Sequence, residues 1–153
     1  MFLLDHLIAD SRLDIATDKI NDLEKIDSSF RVNWYKGRVE KAKGNIDKAF
    51  NIFNKMIEVE PSNWLTYATR ANELAKAGLY DQAILDYNKA ITLQEKPKYT
   101  DSYECLALIY KLKKEPQNAI KAYEGALSIL KDDWNITIGN QVNKIKGEIK
   151  KLL

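Results

Sequence analysis

The sequence predicts an all-α protein built as a stack of helix-turn-helix repeats, and three observations carry that prediction. Small and aromatic residues return in phase, first as Ala49, Phe53 and Met56, then Ala83, Tyr87 and Ala90, then Ala119, Tyr123 and Ala126. The steps are 34 residues (49 to 83) and 36 residues (83 to 119), the second being one period plus a two-residue insertion. A period of this length marks a unit that cannot bury its apolar face alone and must stack on copies of itself. Composition agrees: 45% hydrophobic and 30% charged residues with only 6 Gly and 3 Pro suit a folded, helix-rich chain.

Each element follows from its own residues. A short helix is expected over residues 2–9 and a longer one over Leu13–Ile26, where Ile15, Ala16, Ile20, Leu23 and Ile26 recur mostly at steps of three and four. Ala16 lies 33 residues before Ala49 (16 to 49), so residues 1–29 read as a divergent, shortened copy acting as an N-terminal cap. The first full copy spans 30–63; its leading helix stops at Gly44, where glycine supplies a left-handed residue, and its second stops before Pro61. The second copy, 64–97, repeats both signals as Gly78 and Pro97. The third, 100–133, lacks the glycine and turns through Lys114, Glu115 and Pro116, with proline suited to the first turn of the next helix. Residues 134–153 form a capping helix, with Ile138, Val142, Ile145, Ile149 and Leu152 on one stripe and lysines mostly off it.

Tyr67, Ala71, Leu74, Gly78, Ala83, Tyr87 and Ala90 in the second copy fall on the signature of one family. So do Tyr103, Leu106, Ala107, Tyr110, Ala119, Tyr123 and Ala126 in the third, and Gly37, Gly44, Ala49, Phe53 and Pro61 in the first. On these residues the chain resembles the tetratricopeptide repeat family over 30–133. The resemblance implies a single domain over 1–153 in the form of a right-handed superhelical stack. The physical reason for the small residues is independent of the family: Gly37, Ala71 and Ala107 on leading helices, and Ala49, Ala83 and Ala119 on second helices, sit where two helices approach closely, with Phe53, Tyr87 and Tyr123 filling the space beside them. The first copy departs from the pattern. Asn33, Lys36 and Glu40 occupy positions usually apolar, while Val32, Tyr35, Val39 and Ala42 form a stripe offset by one residue.

The resemblance also implies where function lies. In this family the leading helices line a concave groove, here through Arg31, Trp34, Arg38 and Lys41, then Leu65, Ala68, Asn72 and Ala75, then Asp101, Glu104, Leu108 and Lys111. Each set is spaced three, four and three apart and so shares one helical face. The groove would bind a peptide segment or a helix of another protein, making the chain a non-catalytic scaffold or adaptor. Trp34, between Arg31 and Arg38, is the one large aromatic in the set, so the expected ligand brings an apolar anchor beside acidic groups. Core packing is the competing reading of Trp34. The family's clamp for a C-terminal dicarboxylate, as in co-chaperones, is missing: Trp34, Arg38, Thr69, Asp101 and Cys105 stand at its positions.

Catalysis is not expected. The chain has no glycine-rich phosphate loop, no His-Glu-x-x-His and no Cys-x-x-Cys, and the acidic pair Asp132-Asp133 reads as solvent exposure or helix capping. One Cys and one His build no ordinary zinc site, so no metal or cofactor is expected; His6 reads as a surface residue and Cys105 as a small buried apolar one. The lone cysteine suits a reducing, cytoplasmic setting. The N-terminus is a poor signal peptide, no stretch approaches a membrane span, and Asn135-Ile136-Thr137 matches a glycosylation sequon that matters only in a secretory pathway.

Two further functional classes remain open in the sequence. Net charge is +2, from 24 basic and 22 acidic residues, too small for a general nucleic-acid field. Lys131, Lys144, Lys146, Lys150 and Lys151 form a basic cluster, but no stacking aromatics are interleaved, which disfavours nucleic acid. Phe2, Leu3, Leu7 and Ile8 at one end and Leu152 and Leu153 at the other would cap the stack within a monomer, join two stacks into a homo-oligomer, or mark cuts from a longer protein. A structural module for oligomerisation or for joining domains of a larger protein is therefore the alternative function.

Overall fold

A computed structural model describes residues 2–26 and 30–153. Among the described residues there are nine α-helices and no strand. They are α1 (Phe2–Ala9), α2 (Leu13–Glu24), α3 (Phe30–Ala42), α4 (Ile46–Val59), α5 (Trp64–Lys76), α6 (Tyr80–Leu93), α7 (Asp101–Leu112), α8 (Pro116–Asp132) and α9 (Asn140–Lys150). The chain is all-α and built of helical repeats. It divides into two compact units, Met1–Pro61 and Ser62–Leu153.

In the first unit α3 pairs with α4, and α2 packs on α3 with α1 across both. Leu4 and Leu7 of α1 join Ala16, Ile20, Val32, Tyr35 and Val39 in one buried cluster, while Ala49, Phe53 and Met56 form a second. The offset stripe of α3 is therefore the buried one: Val32, Tyr35 and Val39 go inward, with Ala42 left exposed at the helix end. Gly37 is small for a specific reason. A Cβ there would lie 2.5 Å from Cζ of Phe53, whose ring is 1% exposed and fills the space between α3 and α4.

In the second unit α5 pairs with α6, α7 with α8, α6 with α7, and α9 packs on α8. Ala71, Ala83, Ala90, Ala107, Ala119 and Ala126 are fully buried, which lets the paired helices close on one another. Asn63 caps α5, its side-chain oxygen accepting from Leu65 N at 3.0 Å. The turn between paired helices is left-handed in all three copies, at Gly44 (φ 83°), Gly78 (φ 77°) and Lys114 (φ 60°). Lysine thus takes the conformation glycine supplies in the other two.

Two local expectations are corrected. The last helix begins at Asn140, after an extended Gly139 at φ 117°, so Ile138 lies outside it and is 82% exposed. Val142 and Ile145 are the buried residues of its stripe. Asp133 is no exposed or merely capping carboxylate either: its side chain is 2% exposed and accepts from Lys98 N at 2.9 Å and Lys96 Nζ at 3.0 Å. These bonds hold its carboxyl below the usual range, the Lys98 amide first and Lys96 second. Asp133 thereby ties the lengthened α6–α7 connection to the end of α8, and Trp134 Nε1 adds a bond to Lys98 O at 2.6 Å. The two-residue insertion is anchored by this residue.

Candidate functional site

The leading-helix face of the first unit is partly satisfied from within. Arg31 is exposed, and Trp34 is half-buried, packing against both apolar clusters of the unit. Trp34 meets the Tyr35 ring at 4.9 Å, and the Arg38 guanidinium lies 4.8 Å from the Trp34 ring centre, within cation–π range. Arg38 also pairs with Asp5 of α1, whose other oxygen accepts from the Tyr35 hydroxyl at 2.9 Å. Arg38, and then the Tyr35 bond, hold the Asp5 carboxyl below its ordinary range although burial opposes them. Trp34 and Arg38 therefore serve packing and the docking of α1. Lys41, at the end of α3, is also engaged.

Leu4 and Leu7 are buried by the same docking, so α1 caps this unit. Opposite α1, the polar departures of the first copy have a structural consequence. Asn33, Lys36 and Glu40 line a cleft of about 620 Å³ between α2 and α4, floored by Ile20, Val39 and Met56. Larger apolar side chains at those three positions would project into that space.

In the second unit the groove candidates sit on α5 and α7, and α9 meets the α7 side through Gln141 and Glu148. Leu65 is 40% exposed and Leu108 52% exposed, while Ala68 is buried and Ala75 half-buried. Asn72 is exposed yet engaged, its Oδ1 accepting from the Tyr87 hydroxyl at 2.7 Å. Asp101 is exposed at the start of α7. Glu104 accepts from Thr100 Oγ1 at 2.9 Å and Gln141 Nε2 at 3.1 Å, with Lys144 at 3.5 Å. Lys111 pairs with Glu148 of α9, which Lys151 also meets at 2.6 Å. The two lysines, Lys111 first, pull the Glu148 carboxyl down to about 2, and Glu148 raises Lys111 in return. Lys144 and Lys151 of the basic cluster are thus held by carboxylates.

Asp5 with Arg38 and Glu104 with Gln141 link residues 33 and 37 apart, about one repeat. That spacing is the one signal of these pairs in the sequence. Two others had none: the bidentate Arg70–Asp86 pair, both bonds 2.7 Å, and the row of rings Trp64, Tyr99 and Trp134, with centroids 5.8 and 5.9 Å apart. Cys105 is half-buried and not fully buried as expected, and burial pushes its thiol up although the bond with Tyr87 opposes this. Among the described residues no group of three or more His, Cys, Asp or Glu is placed to hold a metal, and no helix is long and apolar enough to cross a membrane.

This paired-helix geometry meets its match in a family model described as tetratricopeptide repeat, which fits residues 66–97 and 100–132. Residues 66–97 and 100–132 are two tetratricopeptide repeats. The match falls on the second and third copies, whose leading helices keep Tyr67, Leu74, Tyr103 and Leu106, and leaves out the copy whose α3 is offset.

A curated relative, the small glutamine-rich tetratricopeptide repeat-containing protein 2 of Saccharomyces cerevisiae, is 27% identical over 117 residues. That alignment takes in 76% of this chain and 33% of the relative, so the chain spans about a third of that protein's length. Among solved structures, a tetratricopeptide repeat protein from Parabacteroides merdae superposes with a TM-score of 0.69 at 23% identity, covering 95% of this chain and 53% of its own. The TPR2B domain of yeast Sti1, solved as a complex with pHsp70, gives a TM-score of 0.62 at 25% identity, covering 78% of this chain and 92% of its own. Tetratricopeptide repeats of this kind serve as protein-interaction modules, and that is the level of function the comparisons support.

Proposed function

We propose that the chain is a non-catalytic scaffold or adaptor whose leading helices bind a peptide segment or a helix of a partner protein. The observation that carries this reading is the face of the second unit, where Leu65 and Leu108 stand exposed among polar groups already paired with one another. Exposed leucines in a frame of satisfied polar side chains suit a ligand that contributes apolar side chains, with binding energy concentrated in few contacts. On the first unit Trp34 keeps a half-exposed ring and Arg31 an exposed charge, which suits an apolar anchor near an acidic group. The arrangement contains none of the family's dicarboxylate clamp, so a different ligand from that of the co-chaperones is expected.

Affinity capture with mass spectrometry, wild type beside Leu65→Asp and Trp34→Ala, tests the reading. Leu65→Asp is expected to abolish capture with little change in the melt, because the residue is 40% exposed and an acidic side chain suits the first turn of α5. Trp34→Ala is expected to weaken capture and also to cost about 2 kcal/mol of stability, since its ring touches both clusters. Identical captured sets for wild type and Leu65→Asp would remove the groove reading.

A further inference from the structure

The second and third copies differ at one paired position, and the difference leaves a hydroxyl of the third copy without the partner its counterpart has. In the second copy the Tyr87 hydroxyl donates to Asn72 Oδ1 at 2.7 Å. The residues that stand 36 further on (87 to 123, 72 to 108) are Tyr123 and Leu108. Leucine offers no acceptor. Tyr123 is 4% exposed, and its hydroxyl makes no hydrogen bond among the described residues. The ring is buried while the oxygen reaches the surface, so its partner is solvent or a ligand that displaces it.

The space in front of it is a cleft of about 270 Å³ lined by Glu104, Leu108, Tyr123, Lys144, Ile145 and Glu148. That is room for one side chain. Tyr123 feels the charges of Lys111, Glu148, Glu104 and Lys151 from this side, and burial keeps its hydroxyl protonated and able to donate. Leu108 and Ile145 supply apolar walls.

The rim decides the chemistry of the occupant. Glu104 is engaged by Thr100, Gln141 and Lys144, and Glu148 by Lys111 and Lys151, so positive and negative charges are balanced and already paired. An incoming cation or carboxylate would have to break these pairs. A neutral amide would not: its oxygen accepts from the Tyr123 hydroxyl, and its NH2 donates to lone pairs that a carboxylate retains after two or three bonds.

We infer that this cleft is a specificity pocket for one partner side chain with an unbranched apolar stem and a neutral amide end, that is, a glutamine. The inference rests on the peptide-binding reading above and names the subsite that would select the peptide.

The test pans a displayed library of random twelve-residue peptides on the full chain, then measures synthetic copies of the enriched peptides by calorimetry. Enriched peptides are expected to share a glutamine at one position. Tyr123→Phe, which removes only the oxygen, and Leu108→Asn, which supplies the hydroxyl with the partner Tyr87 already has, should each weaken them roughly fivefold to tenfold with unchanged melts. Changing that glutamine to leucine should weaken binding to wild type by the same factor and to Tyr123→Phe by nothing further, the signature of one shared contact.

Peptides that bind but lack the glutamine, or that bind both variants as they bind wild type, would overturn the pocket while leaving the groove in place. A water-filled cleft gives that result. Failure to enrich any peptide whose binding Leu65→Asp abolishes would overturn the groove reading and the pocket with it.

Discussion

Gly37 and Phe53 are a matched pair: the glycine leaves the space that the phenylalanine ring occupies, and a methyl group on Gly37 would lie 2.5 Å from Cζ of that ring. Phe53 is 1% exposed, with Phe50 edge-on at 6.1 Å, so its ring has nowhere to swing.

Gly37→Ala is therefore expected to destabilise the first unit by about 1–3 kcal/mol through overpacking. The sign is the informative part, since alanine in an exposed helix interior would instead stabilise by about 1 kcal/mol relative to glycine. Denaturant melts of Gly37→Ala, Phe53→Leu and the double variant check it. The double variant should be less damaged than the sum of the singles, because the smaller side chain makes room for the methyl group.

Lys114 predicts the opposite sign. It holds φ 60° at the turn where the other copies have Gly44 and Gly78, and it is exposed. A left-handed residue with a Cβ costs roughly 1–2 kcal/mol, of which glycine's greater freedom in the unfolded chain takes part back. Lys114→Gly should raise stability by about 0.5–1 kcal/mol, and Gly78→Lys should lower it by a similar amount. A thermal melt in which Lys114→Gly is less stable than wild type would contradict this account of the turn.

Glu148 makes the docking of α9 sensitive to acid. Its carboxyl is lowered from 4.5 to about 2 by Lys111 and then Lys151. Between those values the unfolded chain binds the proton more readily than the folded one. The contribution is thus complete above pH 4.5 and is lost as pH falls toward 2. Asp5, Glu40 and Asp133 are lowered as well, so wild type alone does not isolate the effect. The difference between wild type and Glu148→Gln does: it should be largest near neutral pH and shrink steadily through this window. Denaturant midpoints measured across the range would show a pH-independent difference if Glu148 did not titrate in this way.

The repeats were legible because their signals are local. Ala49, Ala83 and Ala119 are buried where their spacing placed them, and Gly44 and Gly78 turn the chain where a helix has to stop. The offset stripe of α3 was legible too, since Val32, Tyr35 and Val39 lie on one helical face whatever surrounds them. The start of the last helix was not. Ile138 continues the apolar spacing, but Gly139 takes a backbone that no helix includes, and spacing alone carries no information on backbone angles.

What the sequence by itself determined is which residues belong to helices, how often the unit recurs, and which faces are small or apolar, because each depends on residues within one period. Tertiary structure decided what the exposed polar groups do. Arg38 has no neighbour in sequence that would satisfy it, and only the docking of α1 brings Asp5 to it and to Tyr35. Asp133 looks like any helix-end carboxylate until the fold sets it against Lys98 and Lys96. Tyr87 and Tyr123 are the same residue at the same place in their repeats, yet one hydroxyl is matched and the other faces an open cleft. Periodicity fixes positions along a helix, whereas pairing depends on which side chain of a neighbouring helix lies within hydrogen-bond reach, and only the packed structure sets that distance.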